Sequence, residues 1–196
     1  ETGARLSVKR RSSMENMKGH PMADGIPGLV GTDHIGLTVP NLDQAIDFFC
    51  EILGCELVYT APAAGDDTGT FMQDQLNVHP RSRINGVAFL RGGSTNYELF
   101  EYTSPDHTHN IPKNSDVGGH HIAFYVDDME TAVAYLKAHG LQLLGKPVEE
   151  LEGPDLGVTW QYFLSPWGLQ LELISYPHGK GYEHDTTLRL YDPRRT

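Results

Sequence analysis

The chain has 196 residues, of which 39% are hydrophobic and 21% charged, a composition typical of a folded globular protein. Its 26 acidic residues outnumber its 15 basic ones and give a net charge of −11, which argues against a nucleic-acid-binding surface. The sequence has no run of roughly 18 to 20 apolar residues of the kind that crosses a bilayer. We therefore expect neither a nucleic acid nor a membrane as a partner.

Residues 1–28 are polar, interrupted by Gly and Pro, and without periodicity, so we expect a disordered tail. The sequence begins with Glu-Thr-Gly rather than Met, which resembles the remnant of a removed secretion signal. It contains no Asn-x-Ser/Thr glycosylation motif that would support secretion independently. We expect a cytoplasmic protein, with secretion as the alternative.

The first predicted elements are a strand and a helix. Apolar and other residues alternate over His34–Val39, which predicts a half-buried strand. Asn41 is a typical helix cap, and apolar residues then recur at helical spacing until Gly54 ends the pattern. The sequence therefore predicts a strand followed by an amphipathic helix.

The same pattern returns 87 residues later, where His120–Val126 matches Asp33–Val39 and Asp128–Val133 matches Asn41–Ile46. Each half continues with weaker strand signals and closes with a predicted hairpin. The hairpin strands are 84–91 and 96–103 in the first half, and 157–164 and 169–176 in the second. We predict an α+β fold of two β-α-β-β-β modules: module one (29–103), a linker (104–119), module two (120–176) and a C-terminal extension (177–196).

One segment departs from the repeat. The stretch 61–83 is longer than its counterpart in the second half and carries Phe71, Met72 and Leu76. Their spacing predicts one or two helical turns over the site, with an ordinary surface insertion as the alternative.

Four polar residues occupy equivalent places in the two modules. Aligning 96–100 with 170–174 puts Glu98 in the place of Glu172, as His34 is in the place of His121. Strand alternation directs all four side chains away from the apolar face. Carboxylates that converge there need a counter-charge, and two imidazoles with two carboxylates suit Zn²⁺, Fe²⁺, Mn²⁺, Co²⁺ or Ni²⁺. Taken singly, each residue also fits a structural histidine or a solvated carboxylate.

Three motifs carry a resemblance to a known family: 32–39 (TDHIGLTV), 119–126 (GHHIAFYV) and 165–172 (SPWGLQLE). They resemble the vicinal oxygen chelate (glyoxalase, bleomycin resistance and extradiol dioxygenase) superfamily over about residues 29–176. The resemblance implies paired modules forming an open, mixed-sheet barrel around a central metal site. It also implies one divalent metal ion held by all four ligand positions, namely His34, Glu98, His121 and Glu172.

In isomerase, lyase and epimerase members, the resemblance implies that the metal chelates two adjacent substrate oxygens while a carboxylate moves a proton. Glu98 and Glu172 are the candidate catalytic residues, and the repeat does not rank them. The first alternative is an Fe(II)-dependent extradiol-type dioxygenase that uses His34, His121 and Glu172. A partial resemblance of residues 162–172 to the extradiol signature implies that Tyr162 assists catalysis, with an ordinary strand aromatic as the alternative. The second alternative is a non-catalytic module that binds a small molecule.

The sequence says little about the substrate beyond its being a small molecule. Tyr162, His79 and Arg81 are candidate substrate contacts, since arginine pairs with carboxylates, and solvated loop residues are the alternative reading for the last two. A homodimer is expected for a small enzyme. The resemblance allows the site to lie within one chain or between exchanged modules.

Overall fold

The computed structural model describes residues 25–195. The predicted tail, 1–28, lies outside this range except for its last four residues. There the backbone N–H of Leu29 donates to the carbonyl of Ile26 over 3.0 Å and closes a turn. From Asp33 onward the chain forms one compact unit. Within the described range, no helix is both long enough and apolar enough to span a lipid bilayer.

Module one has the predicted strand–helix start. Asn41 caps the first helix, accepting a 2.8 Å hydrogen bond at its side-chain oxygen from the Gln44 N–H. The helix widens into a π-helical segment over Phe48–Ile52 before Gly54, at φ +71°, turns the chain. The elements are β1 (His34–Val39), α1 (Leu42–Asp47), β2 (Glu56–Ala61), β3 (Ala64–Gly65), α2 (Phe71–Leu76), β4 (Arg83–Gly92) and β5 (Thr95–Thr103).

Module two repeats this arrangement without β3 and α2. Asp128 caps its helix through a 3.0 Å hydrogen bond from the Thr131 N–H, at the position equivalent to Asn41. The elements are β6 (Ile122–Tyr125), α3 (Met129–Ala138), β7 (Gln142–Glu149), β8 (Thr159–Leu164) and β9 (Gln170–Ser175). The predicted internal repeat and α+β class are therefore confirmed.

The two sheets have the same topology. Strand order is β1-β5-β4-β2 in the first, with β3 added to β4, and β6-β9-β8-β7 in the second. In each sheet the first strand runs parallel to the last, while the remaining pairs are antiparallel. No strand pairing joins the sheets within residues 25–195, so they are two mixed sheets and not a closed barrel.

Both modules contribute to one hydrophobic core. Phe49 packs on Tyr97 within module one at 5.1 Å between ring centroids. Phe48 reaches Trp167 of module two at 5.4 Å, and Tyr97 reaches Phe124 at 6.4 Å. The apolar faces of the sheets and helices therefore bury one another, which leaves the opposite sheet faces for other functions.

The long segment of module one contains helix α2, with Met72 buried at 1% exposure. The segment therefore contains the helical turns that its apolar spacing predicts. The C-terminal extension has short 3₁₀ turns at Gly181–His184 and Pro193–Arg195.

Candidate active site

Each sheet brings one histidine against one glutamate. In module one, His34 Nε2 on β1 lies 3.1 Å from Glu98 Oε2 on β5. In module two, His121 Nε2, immediately before β6, lies 2.9 Å from Glu172 Oε2 on β9. Their strand neighbours Leu37, Leu99, Leu171 and Leu173 belong to the core, so alternation places both pairs on the face opposite it.

A small residue makes each pair possible. Glu98 stands beside Gly36 in the β1–β5 register, and Glu172 stands beside Ala123 in the β6–β9 register. A Cβ added to Gly36 would lie 4.0 Å from Glu98 Oε2. A side chain no larger than a methyl group therefore leaves room for the glutamate to turn toward its histidine.

The second nitrogen of each imidazole also has a partner. His34 Nδ1 lies 2.7 Å from an Asp33 carboxylate oxygen, and His121 Nδ1 lies 3.3 Å from the Asn114 amide nitrogen. The hydrogen bond to Asp33 raises the pKa of His34, and the charge of Glu98 raises it further. Such partners fix the orientation of an imidazole, which is what a metal-binding or hydrogen-bonding histidine requires.

The two pairs differ in their surroundings. The Glu172 side chain is 10% exposed and that of Glu98 is 17% exposed. Burial raises the pKa of Glu172 above its ordinary value, while the electrostatic interactions with His121 and Lys180 oppose this rise. Glu172 is therefore the carboxylate in the less polar environment, a difference that the sequence repeat does not reveal.

The donor chemistry of these residues fits a divalent metal, but one chain presents the donors as two separate pairs. Among the described residues, no group of three or more His, Cys, Asp or Glu side chains is placed to hold one ion. A catalytic metal site in a protein has at least three protein ligands in the usual case. Each sheet thus carries half of the predicted ligand set.

Aromatic side chains line the site face of module two. Tyr162 pairs with Glu172 in the β8–β9 register, and its ring lies 5.1 Å from that of His121. Trp160, 5.2 Å from Tyr162, follows on the same face by alternation. At the end of the face Tyr125 and Tyr176 pack edge to face at 4.9 Å. Of these four residues, only Tyr162 is a candidate from the sequence alone. Strand alternation also points to the other three, but aromatic residues are equally common in hydrophobic cores, so alternation does not mark them as site residues.

The candidate contacts in the long segment are engaged locally. The Arg81 guanidinium donates to the carbonyl oxygens of Asp66, at 2.7 Å, and Gly69. The Arg81 N–H donates to His79 Nδ1 over 3.0 Å. These bonds hold the loop before α2, and substrate contact by either residue stays a prediction.

Comparisons with known proteins identify the family of the chain. Residues 33–160 match the family model described as Glyoxalase/Bleomycin resistance protein/Dioxygenase superfamily. A 2-epi-5-epi-valiolone epimerase from Actinomyces sp. is 47% identical over 171 residues, which is 86% of this chain and 92% of that protein. The mitochondrial methylmalonyl-CoA epimerase of Bos taurus is 26% identical over 164 residues, 78% of this chain and 84% of that protein.

Solved structures show the same fold. A glyoxalase family protein from Bacillus cereus superimposes with a TM-score of 0.60 at 23% identity, covering 79% of this chain and 98% of that one. A glyoxalase family protein from Enterococcus faecalis gives a TM-score of 0.52 at 22% identity, with coverage of 74% and 96%. Because the family model matches residues 33–160 and a relative is 47% identical over 86% of the chain, the chain belongs to the glyoxalase/bleomycin resistance/dioxygenase superfamily.

Proposed function

We propose that this protein is a metal-dependent epimerase that inverts a carbon beside a carbonyl group of a small substrate. The observation that carries the proposal is the pair of equivalent His–Glu contacts, one on each sheet. The 47% identity to a 2-epi-5-epi-valiolone epimerase favours inversion over the other reactions of the superfamily and makes that ketone the first substrate to test.

The reaction requires proton transfer on both faces of the reacting carbon. A hydrogen beside a carbonyl is acidic because the electron pair left behind is shared with the carbonyl oxygen. Inversion follows when one group removes this proton and another returns a proton from the opposite side. Glu98 and Glu172 occupy equivalent places in two modules, so an approximate twofold arrangement of the modules puts them on opposite sides of a substrate between them.

We assign metal binding to His34, Glu98, His121 and Glu172. When bound, a divalent cation supplies positive charge beside substrate oxygens that become more negative as the proton leaves. The histidines are held in orientation by Asp33 and Asn114. The aromatic face beside His121 excludes water from the reacting carbon.

We further propose that the two half sets of ligands meet between two copies of the chain. In the described residues the four ligands form two His–Glu pairs, and no three of them lie together, which favours this arrangement. The sheet topology also favours it, because β1 and β6 each stand at the end of a sheet with one edge unpaired in the described part of the chain. A symmetric dimer then has two sites, each with module one from one copy and module two from the other.

The test is epimerisation of 2-epi-5-epi-valiolone by the metal-loaded protein in D₂O. We expect one solvent deuterium at the inverted carbon, and a loss of roughly 100-fold or more in Glu98→Gln and Glu172→Gln, as for removal of a general acid or base. Glu152→Gln, in an exposed loop, is the matched control. Melting temperatures and metal content separate lost chemistry from lost folding or lost metal.

Several outcomes distinguish the alternatives. One outcome is a variant that exchanges deuterium into one epimer without converting it to the other. In that variant the remaining carboxylate removes and returns the proton on one face, so the substituted glutamate is the group that returns the proton on the opposite face. Epimerisation without deuterium uptake contradicts the mechanism. Oxygen consumption with a catechol, unchanged by Glu98→Gln, supports the dioxygenase and contradicts the epimerase. Tight substrate binding without turnover supports a non-catalytic module.

A further inference from the structure

The C-terminal extension is fixed against module two beside Lys180. The Gly181 N–H donates to the Leu156 carbonyl over 3.0 Å, and the Tyr182 N–H donates to the Pro154 carbonyl over 2.8 Å. Gly181 is buried, and a Cβ added to it would lie 2.3 Å from the Gly153 carbonyl oxygen. The two hydrogen bonds and the close approach of the Gly181 backbone to Gly153 therefore hold the backbone beside Lys180 in place.

The Lys180 side chain runs from this anchor to the end of the site face. Its Nζ lies 4.5 Å from the centroid of the Tyr176 ring. Tyr176 lies just after the end of β9, and it joins the site face through Tyr125, which alternation on β6 places on the same face as Ala123. The contact of Tyr176 with Tyr125, at 4.9 Å, ties it to the strand that follows His121.

The Lys180 ammonium has no carboxylate partner among the described residues. Every ion pair found in residues 25–195 within 4.0 Å involves other side chains. Lys180 is only partly exposed, and its ammonium lies against the Tyr176 ring, which in turn packs on Tyr125 of the site face. A partly buried ammonium that packs on an aromatic ring and makes no ion pair in the described residues retains donors for a ligand oxygen.

Aromatic side chains lie beside Glu172 on the site face. Trp160 and Tyr162 offer a surface on which the C–H face of a saturated ring can lie, and the buried Tyr176 ring supports Lys180. We propose that Lys180 is a substrate-binding residue: its ammonium donates to an acceptor oxygen on the ring substrate whose reacting carbon lies at Glu172. This inference rests on the proposed function for the identity of the substrate.

The experiment compares Lys180→Met with Lys180→Arg in the full chain, with 2-epi-5-epi-valiolone as the probe. A hydrogen bond from a charged group contributes enough that we expect KM to rise about tenfold or more in Lys180→Met, with kcat changed less than about threefold. Lys180→Arg keeps a charged donor and should recover part of the loss. Lys137→Met, on the exposed side of α3, is the matched control and should leave KM unchanged.

Direct binding, followed by tryptophan fluorescence with Trp160 as a reporter, separates this inference from the proposed function. Turnover by the wild type with an unchanged KM in Lys180→Met overturns the role of Lys180 and leaves the epimerase standing. Binding without turnover, weakened tenfold in Lys180→Met, overturns the epimerase and supports Lys180. Neither binding nor turnover by the wild type overturns both.

The acceptor oxygen can belong to a neutral hydroxyl or to a phosphate ester, and salt distinguishes them. A lower KM for a phosphate ester of the ketone than for the ketone itself, rising with sodium chloride, indicates a phosphate, because salt screens the attraction between opposite charges. A KM that is lower for the neutral ketone and unchanged by salt indicates a hydroxyl. In both cases the role of Lys180 requires the loss in Lys180→Met.

Discussion

Gly36 and Ala123 leave the space through which each glutamate reaches its histidine. Each lies two residues after the histidine and directly beside the glutamate in the parallel register. A side chain at either position would point to the site face by strand alternation. A side chain larger than a methyl group would therefore occupy the space that the carboxylate fills. The repeat therefore has three matched positions per module: a histidine, a small residue and a glutamate.

This spacing predicts that Gly36→Val lowers metal affinity by about tenfold or more, as for other changes that displace a metal ligand. The added Cβ would lie 4.0 Å from Glu98 Oε2, and the branched methyl groups would reach closer still. Gly36→Ala is the matched control and should bind metal normally, because alanine is tolerated at position 123. Metal titration with a melting-temperature check makes the measurement, and equal affinity for the two variants contradicts it.

At the level of elements, Arg194 adds a second attachment of the C-terminal extension, to the residue that follows β9. Arg194 donates to both oxygens of Asp192, at 2.8 and 2.7 Å, and to the Tyr176 carbonyl at 2.5 Å. Its guanidinium also lies 4.7 Å from the centroid of the Tyr176 ring. The same ring thus receives Arg194 and Lys180, and links the position of the extension to the site face.

The hydrogen bonds from Arg194 lower the pKa of Asp192 to about 2 from an ordinary value of 3.8. A carboxyl whose folded-state pKa is lowered stabilises the fold above its unfolded-state pKa, and that contribution is lost as the pH falls through the folded value. We therefore expect wild type to melt above Asp192→Asn at pH 5–7, with the difference closing between about pH 4 and pH 2. Melting temperatures of the two proteins measured from pH 7 to pH 2 test this prediction. A difference in melting temperature that stays constant over this range contradicts it.

The elements themselves could be predicted well where a period was visible. Alternation over His34–Val39 and the caps at Asn41 and Asp128 are local signals, and the structure has the strand and helices there. The π-helical segment could not be predicted from the spacing of its apolar residues, and its Phe48 contacts Trp167 of the other module, a long-range contact that the local pattern does not contain. The extension carries no periodicity, and its attachment uses bonds between side chains and distant backbone groups.

For the whole molecule, the sequence predicts which four side chains lie on the site face, but not that they form two His–Glu pairs or how the pairs are placed relative to each other. The face on which each side chain lies follows from alternation within a sheet and from the repeat. The relation between the pairs depends on how two modules pack, through contacts such as that of Tyr97 with Phe124. Lys180 lies outside the repeat, so alignment of the modules could not find it.

Mixing His34→Ala with His121→Ala tests whether two copies share each site. Each variant alone should be inactive, since every site lacks one histidine. In an equal mixture half of the dimers are mixed, and one of their two sites has both histidines, so activity should recover to about a quarter of wild type. Recovery after joint refolding, with mass measured by light scattering, supports shared sites. Absence of recovery, with one metal bound per monomeric chain, contradicts them.

The common core also bears on how such a chain arose. Because both helices and both sheets cover one another in a single core, neither half buries its apolar surface alone. A one-module ancestor would have needed a second molecule of itself to fold. Joining two such modules makes that contact an interaction within one polypeptide, in which the two halves can differ, as the two glutamates do in their exposure.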